Sequence, residues 1–155
     1  MIYVNYGGHV VLFLSTFTNK IDKKGRVSIP APFRTVLADQ SFQGIVLFRS
    51  LTRPVVEGCG FDRLKRLSEQ LETGDFMPSA NHDYNAMMFA EARMLSFDAE
   101  GRVSIPEDLL EHAQIKEQIT FVGRGPTFEL WSPDEFAKDH LERRSRLISQ
   151  QGGQG

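Results

Sequence analysis

Cysteine is nearly absent from this sequence. The 155 residues contain one cysteine, Cys59, so no disulfide can form within the chain. A lone cysteine is typical of a reducing compartment, where it usually serves as a small apolar side chain. A nucleophilic cysteine would need a base beside it, and the nearest histidine in the sequence is His82. The cysteine content therefore argues against a disulfide-stabilised fold and against thiol catalysis.

Long apolar runs are also missing. The longest run near the amino terminus, residues 10–14, is far shorter than the roughly 20 residues that span a bilayer. This region has neither a basic start nor a small-residue cleavage pattern, so it does not resemble a signal peptide. The sequence therefore predicts a cytoplasmic protein with no membrane partner. We expect residues 1–11 to be an extension ahead of the folded domain, with residues 1–10 disordered.

Catalytic and metal-binding motifs are absent as well. The histidines are scattered, none lies in a His-Glu-x-x-His pattern, and no paired cysteines or Gly-rich phosphate loop occur. The segment GRGP at 123–126 has the composition of an anion-binding loop, but a turn between strands explains it better. Glu91 has no acid or base partner nearby in the sequence. These absences argue against an enzyme and predict neither a cofactor nor a metal.

The strongest feature of the sequence is an internal repeat. The segment DKKGRVSIP at 22–30 recurs at 98–106 as DAEGRVSIP, with seven of nine positions identical. Such a match indicates two copies of one structural unit. Weaker similarity continues downstream, where GIVLF at 44–48 parallels QITFV at 118–122. Each half is predicted to run hairpin, short helix, strand, strand, helix.

Each repeated segment has the local chemistry of a β-hairpin. Apolar residues alternate on both sides of an Asp-x-x-Gly turn, in which aspartate favours the entry and glycine supplies the positive φ. The residues assigned to this turn structure are Asp22, Gly25, Asp98, Gly101 and Arg102. Prolines after each hairpin favour short helices over 33–37 and 107–112. Buried strands are predicted over 45–48 and 119–122, paired with 55–56 and 128–131.

Three longer helices are predicted from apolar spacing. Leucines at helical intervals predict one helix from Phe61 that ends at Gly74, and a second helix covers 84–92 after an opening segment at 78–81. The last helix runs from Pro133 to about Ile148, and the Gln/Gly-rich residues 150–155 are predicted to be disordered. The predicted units are an extension (1–11), repeat 1 (16–63), connecting helices (64–91), repeat 2 (92–135), and a carboxyl-terminal helix with a tail (136–155).

The two copies differ sharply in charge. The chain as a whole carries a net charge of −2, which is unusual for a general nucleic-acid binder. Residues 20–34, however, hold five cationic side chains against one acidic, whereas residues 96–112 hold one cationic against five acidic. A cationic turn suits duplex phosphates, and a two-stranded ribbon fits the major groove. The candidate DNA-binding residues are therefore Lys20, Lys23, Lys24, Arg26 and Arg34.

Together these features resemble the MraZ family, which is built on a duplicated AbrB-like swapped-hairpin unit. The resemblance rests on the two Asp-x-x-x-Arg hairpins, with their glycines and prolines, and on the segment FELW at 128–131. It extends over roughly residues 12–141. It implies an α+β fold, in which a duplicated swapped-hairpin AbrB-like β-barrel with peripheral helices has a pseudo-two-fold axis within one chain.

The resemblance also implies a function. It implies a ring-like homo-oligomer of several subunits that binds double-stranded DNA at tandem short repeats upstream of the division and cell-wall gene cluster. Members usually act there as repressors, in the cytoplasm and on the nucleoid. On the family pattern Arg26 matches the DNA-contacting arginine, with Lys23 and Lys24 beside it. Arg102 matches the second copy, but its acidic neighbours assign it to turn structure.

Two alternatives to sequence-specific DNA binding stay open at this point. Exposed lysines at a turn can serve solubility alone, with an Asp–Arg pair stabilising the turn. An AbrB-like antitoxin would instead bind a partner protein through a disordered tail, but here the unit is duplicated and the tail is short. The cluster RRSR at 143–146 is compatible with non-specific DNA contacts, although a solvated helix end explains it better.

Overall fold

The fold is α+β, with antiparallel strands and five helices among the described residues. A computed structural model describes residues 5–6, 9–74 and 82–152. The strands are β1 (Asn5–Tyr6), β2 (His9–Val10), β3 (Thr16–Lys20), β4 (Arg26–Ser28), β5 (Gly44–Arg49), β6 (Val56–Cys59), β7 (Arg93–Ser96), β8 (Arg102–Ser104), β9 (Gln118–Gly123) and β10 (Phe128–Trp131). The helices are α1 (Ala31–Leu37), α2 (Phe61–Thr73), α3 (His82–Glu91), α4 (Glu107–His112) and α5 (Pro133–Gly152).

Six strands form the main sheet, in the order β3-β9-β10-β6-β5-β7. The strands β4 and β8 pair with each other in a separate two-stranded ladder. The main sheet is open, with β3 and β7 at its edges, so the closed barrel expected from the sequence is not observed. After β3 and β7 the chain passes through the repeated turns and continues into β4 and β8.

The strands of the two halves are interleaved. The strand β3 pairs with β9 of the other half, and β7 likewise pairs with β5. The strand order is the same when each strand is replaced by its equivalent in the other half. The register is also the same, because Leu47 lies opposite Arg93 and the equivalent residue, Phe121, lies opposite Phe17. The predicted hairpins therefore differ from the structure. Their turns form, but the strand after each turn pairs with its counterpart in the other repeat.

This cross-repeat pairing buries apolar side chains from both halves together. Val27 lies opposite Val103 in the β4–β8 ladder, and both are almost fully buried. Phe33 of α1 makes edge-to-face contacts with Phe13, Phe17 and other rings of the same core cluster. Burial of a large apolar side chain is worth about 2 kcal/mol, so the shared core favours the interleaved arrangement.

The helix predictions are mostly confirmed. The helix α4 has the predicted bounds, and α2 ends at Thr73 with Gly74 as its C-cap in a left-handed φ of 75°. The segment 78–81 that was predicted to open α3 lies outside the described residues. No helix in the described ranges has the length and apolar character needed to cross a membrane.

The two chain ends differ from their predictions where they are described. The helix α5 continues to Gly152, so the prediction of disorder from residue 150 is wrong for 150–152. No glycine or proline interrupts residues 134–151, which explains why the helix continues. Near the amino terminus, β1 and β2 pair with each other, so the prediction of disorder is wrong for those four residues as well. The other residues of these two segments lie outside the described ranges.

Candidate nucleic-acid interface

The turn of the first repeat is organised around one carboxylate. The Oδ1 atom of Asp22 accepts hydrogen bonds from the backbone amides of Lys24 and Arg26, each at 2.9 Å. Its Oδ2 atom accepts from the Nε atom of Arg26 at 2.6 Å. Gly25 has a φ of 78° and donates its amide to the Asp22 carbonyl, which closes the turn. The Arg26 guanidinium is therefore held beside the turn in a defined orientation.

These contacts also set the protonation state of the carboxylate. The backbone amide of Arg26 lowers the pKa of Asp22 below its ordinary value, and the Arg26 side chain and the Lys24 amide add to this effect. Because the pKa is lowered, Asp22 is ionised throughout the neutral range. Arg26 therefore stays paired to a charged partner, while Lys23 and Lys24 are exposed at the tip.

The second turn repeats this geometry with different charges. The Asp98 carboxylate accepts from the amides of Glu100 and Arg102 and from the Arg102 Nε atom, all at 2.9 Å. Glu100 is the residue of the second repeat that is equivalent to Lys24. Its carboxylate forms an ion pair with Arg102, with 3.1 Å between Oε2 and Nη2. A third carboxylate, that of Asp22, lies 3.9 Å from Arg102 Nη1. Arg102 is thus surrounded by acidic groups, which supports its assignment to turn structure.

The β4–β8 ladder brings the two turns together. Ile29 donates its amide to the Gly101 carbonyl, and Ile105 donates to the Gly25 carbonyl, at 3.2 and 2.9 Å. Arg34 reaches from α1 over the second turn, since a Cβ placed on Gly101 would lie 2.5 Å from its Nη1 atom. Only glycine fits at Gly101 without displacing this side chain. Arg34 thus adds a cation where the second turn by itself is acidic.

The structure places the five sequence-predicted cations on different elements. Lys23, Lys24 and Arg26 lie on the first turn, and Arg34 lies over the second. Lys20 is exposed at the end of β3, opposite Gln118, two residues before the turn begins. Exposed ammonium and guanidinium groups can contact phosphates or the acceptor edge of guanine. No group of three or more metal-ligating side chains occurs in the described ranges.

A buried charge cluster escaped the sequence analysis. Glu129 is 8% exposed and accepts hydrogen bonds from Arg53, Arg124 and the indole of Trp131, at 2.5, 2.9 and 2.9 Å. It lies directly opposite Glu57 in the β6–β10 ladder. The signal that could have revealed it is the alignment of the repeats, since Glu57 and Glu129 occupy matching strands.

The pKa values of the two central glutamates, Glu129 and Glu57, are shifted in opposite directions. Burial raises the pKa of Glu129, but hydrogen bonds from Trp131, Arg124 and Arg53 outweigh burial and leave its pKa below the ordinary value. Burial also raises the pKa of Glu57, and the negative charge of Glu129 raises it further. The centre of the sheet therefore holds one carboxylate whose ionised form is favoured and one whose ionised form is disfavoured.

This chain is similar to known proteins of one family. A family profile described as "MraZ protein, putative antitoxin-like" matches residues 88–149. Proteins named "Transcriptional regulator MraZ" match more of it. The one from Rickettsia akari (strain Hartford) is 40% identical over 90% of this chain and 93% of its own length. Those from Rickettsia canadensis (strain McKiel) and Rickettsia bellii (strain OSU 85-389) are both 42% identical, over 82% and 88% of this chain and 85% and 91% of their own lengths.

Proposed function

Because this chain belongs to the MraZ family of transcriptional regulators, we propose that it regulates transcription by binding double-stranded DNA through the turn of its first repeat. The family is one of regulators and not of enzymes. The observation that carries the proposal is the difference in charge between two turns with the same hydrogen-bond pattern. Arg26 is flanked by Lys23 and Lys24, whereas Arg102 is enclosed by carboxylates.

The contact we propose uses Arg26 for base reading and the neighbouring cations for phosphates. Asp22 occupies only the Nε edge of Arg26, and no hydrogen bond to its Nη atoms occurs within the described residues. Two Nη groups of one guanidinium can donate together to O6 and N7 of guanine. Lys20, Lys23, Lys24 and Arg34 then supply sequence-independent phosphate contacts.

The interleaved strands support a finer proposal for the fold. We propose a duplicated AbrB-like swapped-hairpin unit, in which each half of this chain takes the place of one protomer. The strand order, which is unchanged when the halves are exchanged, supports this assignment. The proposed units are repeat 1 at 16–63 and repeat 2 at 92–135, joined by residues 64–91.

The proposed biological setting follows from the family and from the modest charge of one turn. A single turn with a few cations would bind weakly, but several turns in a ring-like homo-oligomer would engage tandem repeats together. Linked sites can raise apparent affinity by roughly a hundredfold or more without new contacts. We propose a nucleoid-associated cytoplasmic repressor of the division and cell-wall gene cluster, with repeats spaced near one helical turn, about 10 bp.

The test is fluorescence anisotropy with a duplex taken from the region upstream of this gene. We expect saturable binding that weakens steeply between 50 and 200 mM salt, by about a hundredfold or more if several phosphate contacts form. A scrambled duplex of equal length and composition is the control. Equal affinity for both duplexes would contradict sequence-specific regulation and favour a protein partner.

An Asp22→Asn substitution tests whether Asp22 affects DNA binding by orienting Arg26 or only through its own negative charge. The change removes one negative charge from the turn, so a purely electrostatic interface would bind DNA more tightly. We expect instead an affinity loss of about threefold to tenfold, because a neutral amide holds the Arg26 guanidinium less firmly than a carboxylate does. Asp98→Asn is the matched control and should not weaken binding. Tighter binding by Asp22→Asn in the anisotropy assay would refute the positioning role.

A further inference from the structure

A cavity of about 310 Å³ lies between β6 and the helices α2 and α3, and none of its lining residues belongs to either turn. Phe48, Leu64, Leu67 and Met88 supply its apolar lining. Sites for small molecules typically have volumes of about 300–1,000 Å³ and combine apolar walls with a few polar groups. The cavity therefore has the size and the lining of a site for a small molecule.

The second repeat has aromatic rings at the positions that border this cavity in the first repeat. In the alignment of the repeats, Cys59 is equivalent to Trp131, and Leu64 is equivalent to Phe136. The rings of Trp131 and Phe136 pack against each other, with 5.8 Å between their centroids. Cys59 and Leu64 are smaller, and both line the cavity. The first repeat thus has an open space where the second repeat has two packed rings.

Two of the polar side chains that line the cavity are hydrogen-bond donors without an acceptor. Asn85 is 7% exposed, and its buried Nδ2 atom has no hydrogen-bond partner among the described residues. Arg63 forms no ion pair in the part of the chain that the structure describes. Buried donors in proteins are nearly always hydrogen-bonded, and guanidinium groups bind carboxylates strongly. The two side chains therefore favour a bound molecule that carries a carboxylate.

A third polar group of the cavity favours a cation. Burial and the negative charge of Glu129 raise the pKa of Glu57, and Arg53 opposes this shift only in part. Arg63 is not among the charges that act on Glu57. Burial and the charge of Glu57 raise the pKa of Tyr84, whereas the charge of Arg63 lowers it. Tyr84 is therefore within range of both charges, and the cavity offers an acidic group and a basic group at separate places.

From these observations we infer that the cavity binds a small zwitterion with an apolar side chain, of the chemical class of a free aliphatic α-amino acid. The carboxylate of the ligand accepts hydrogen bonds from Asn85 and Arg63. Its ammonium group lies against Glu57, and its side chain packs against Leu64 and Met88. This ligand site does not depend on the proposed DNA contact, because the two share no residue.

Isothermal titration calorimetry of the full chain with three matched probes tests the class of ligand. The probes are L-leucine, isocaproate, which lacks the ammonium group, and isoamylamine, which lacks the carboxylate. We expect L-leucine to bind at least tenfold more tightly than either of the others, because each of them loses one set of charge-assisted hydrogen bonds. Equal binding of L-leucine and isocaproate would overturn the role of Glu57. No binding of L-leucine at millimolar concentration would overturn the site.

Single substitutions assign the two charged groups of the ligand to their partners. Glu57→Gln should weaken the binding of L-leucine about tenfold and change the binding of isocaproate less than about twofold. Arg63→Met should weaken the binding of both carboxylates and leave that of isoamylamine unchanged. Lys65→Met is the matched control, because Lys65 is an exposed cation of the same helix that does not line the cavity. An equal effect of Arg63→Met and Lys65→Met on L-leucine would overturn the assignment of Arg63.

A Leu64→Phe substitution tests the cavity itself by introducing the ring that the second repeat has at this position. We expect the binding of L-leucine to be lost, because the added ring occupies the space of the ligand side chain. Circular dichroism checks that the variant is folded, and its affinity for DNA should equal that of wild type. If L-leucine bound Leu64→Phe and Glu57→Gln as tightly as wild type, it would bind elsewhere and the inference would be wrong.

Discussion

Replacing Arg26 by alanine is expected to weaken binding to the specific duplex about 10- to 100-fold, because one two-donor base contact is worth roughly 1–3 kcal/mol. The Asp22 carboxylate would keep its bonds to the amides of Lys24 and Arg26, so the turn itself should persist. The loss would therefore come from the missing guanidinium. Anisotropy titrations against specific and scrambled duplexes measure it, and the specific duplex should be affected far more.

Two further variants assign the cause of that loss. Arg102→Ala removes the equivalent side chain from a turn of the same geometry, and we expect its affinity to stay within about threefold of wild type, since the Arg102 guanidinium is engaged by Asp98 and Glu100. Arg26→Lys keeps the charge but lacks the planar fork, so it should fall between wild type and Arg26→Ala. An equal loss in Arg26→Ala and Arg102→Ala would reject the single-turn interface in favour of a shared one.

The local features of the candidate interface were predictable from the sequence because they depend on a few neighbouring residues. Each turn is fixed by an aspartate whose carboxylate accepts hydrogen bonds from the backbone amides two and four residues later. A glycine at positive φ completes the turn. The repeat made this prediction stronger, since one pattern had to serve twice. The contrast in charge between Lys24 and Glu100 was equally visible in the sequence.

The pairing of the strands was not predictable in the same way. Alternating residues around a turn suit a local hairpin, and they suit equally a strand that crosses to the other repeat. The choice depends on the burial of Val27 against Val103, and local alternation does not specify that contact. The contact between Arg34 and Gly101 was not predictable either, because it depends on how the two halves pack against each other.

The buried glutamate shows a further limit of reading the sequence. Neither arginine that pairs with Glu129 is two residues away along the strand: Arg124 is five residues away, across a turn, and Arg53 is 76 residues away in the chain. The three donors that surround Glu129 come from β10, from the turn before it, and from the loop before β6. Such a cluster is a property of the tertiary structure, and its effect on stability can be measured.

A Glu129→Gln substitution is expected to lower the free energy of unfolding at pH 7 by about 2 kcal/mol, because it removes the counter-charge that two half-buried guanidinium groups share and weakens their hydrogen bonds. The folded-state pKa of Glu129 lies below its ordinary value of 4.5. Its ionised form therefore stabilises the fold above the unfolded-state pKa, and this contribution is lost as pH falls through the folded-state pKa. The difference between wild type and variant should accordingly shrink below about pH 4.

Glu57→Gln is the matched control, and we expect it to act in the opposite direction. Burial and the nearby charge of Glu129 raise the pKa of Glu57, so its ionised form opposes folding at neutral pH. Neutralising it should leave stability at pH 7 unchanged or raise it by up to about 1 kcal/mol. Urea denaturation followed by circular dichroism, at one protein concentration and at pH 7 and 4, compares all three proteins. Equal destabilisation by both substitutions would mean that the sheet centre is sensitive to any change there, whereas opposite signs would assign the stabilisation to the Glu129 charge cluster.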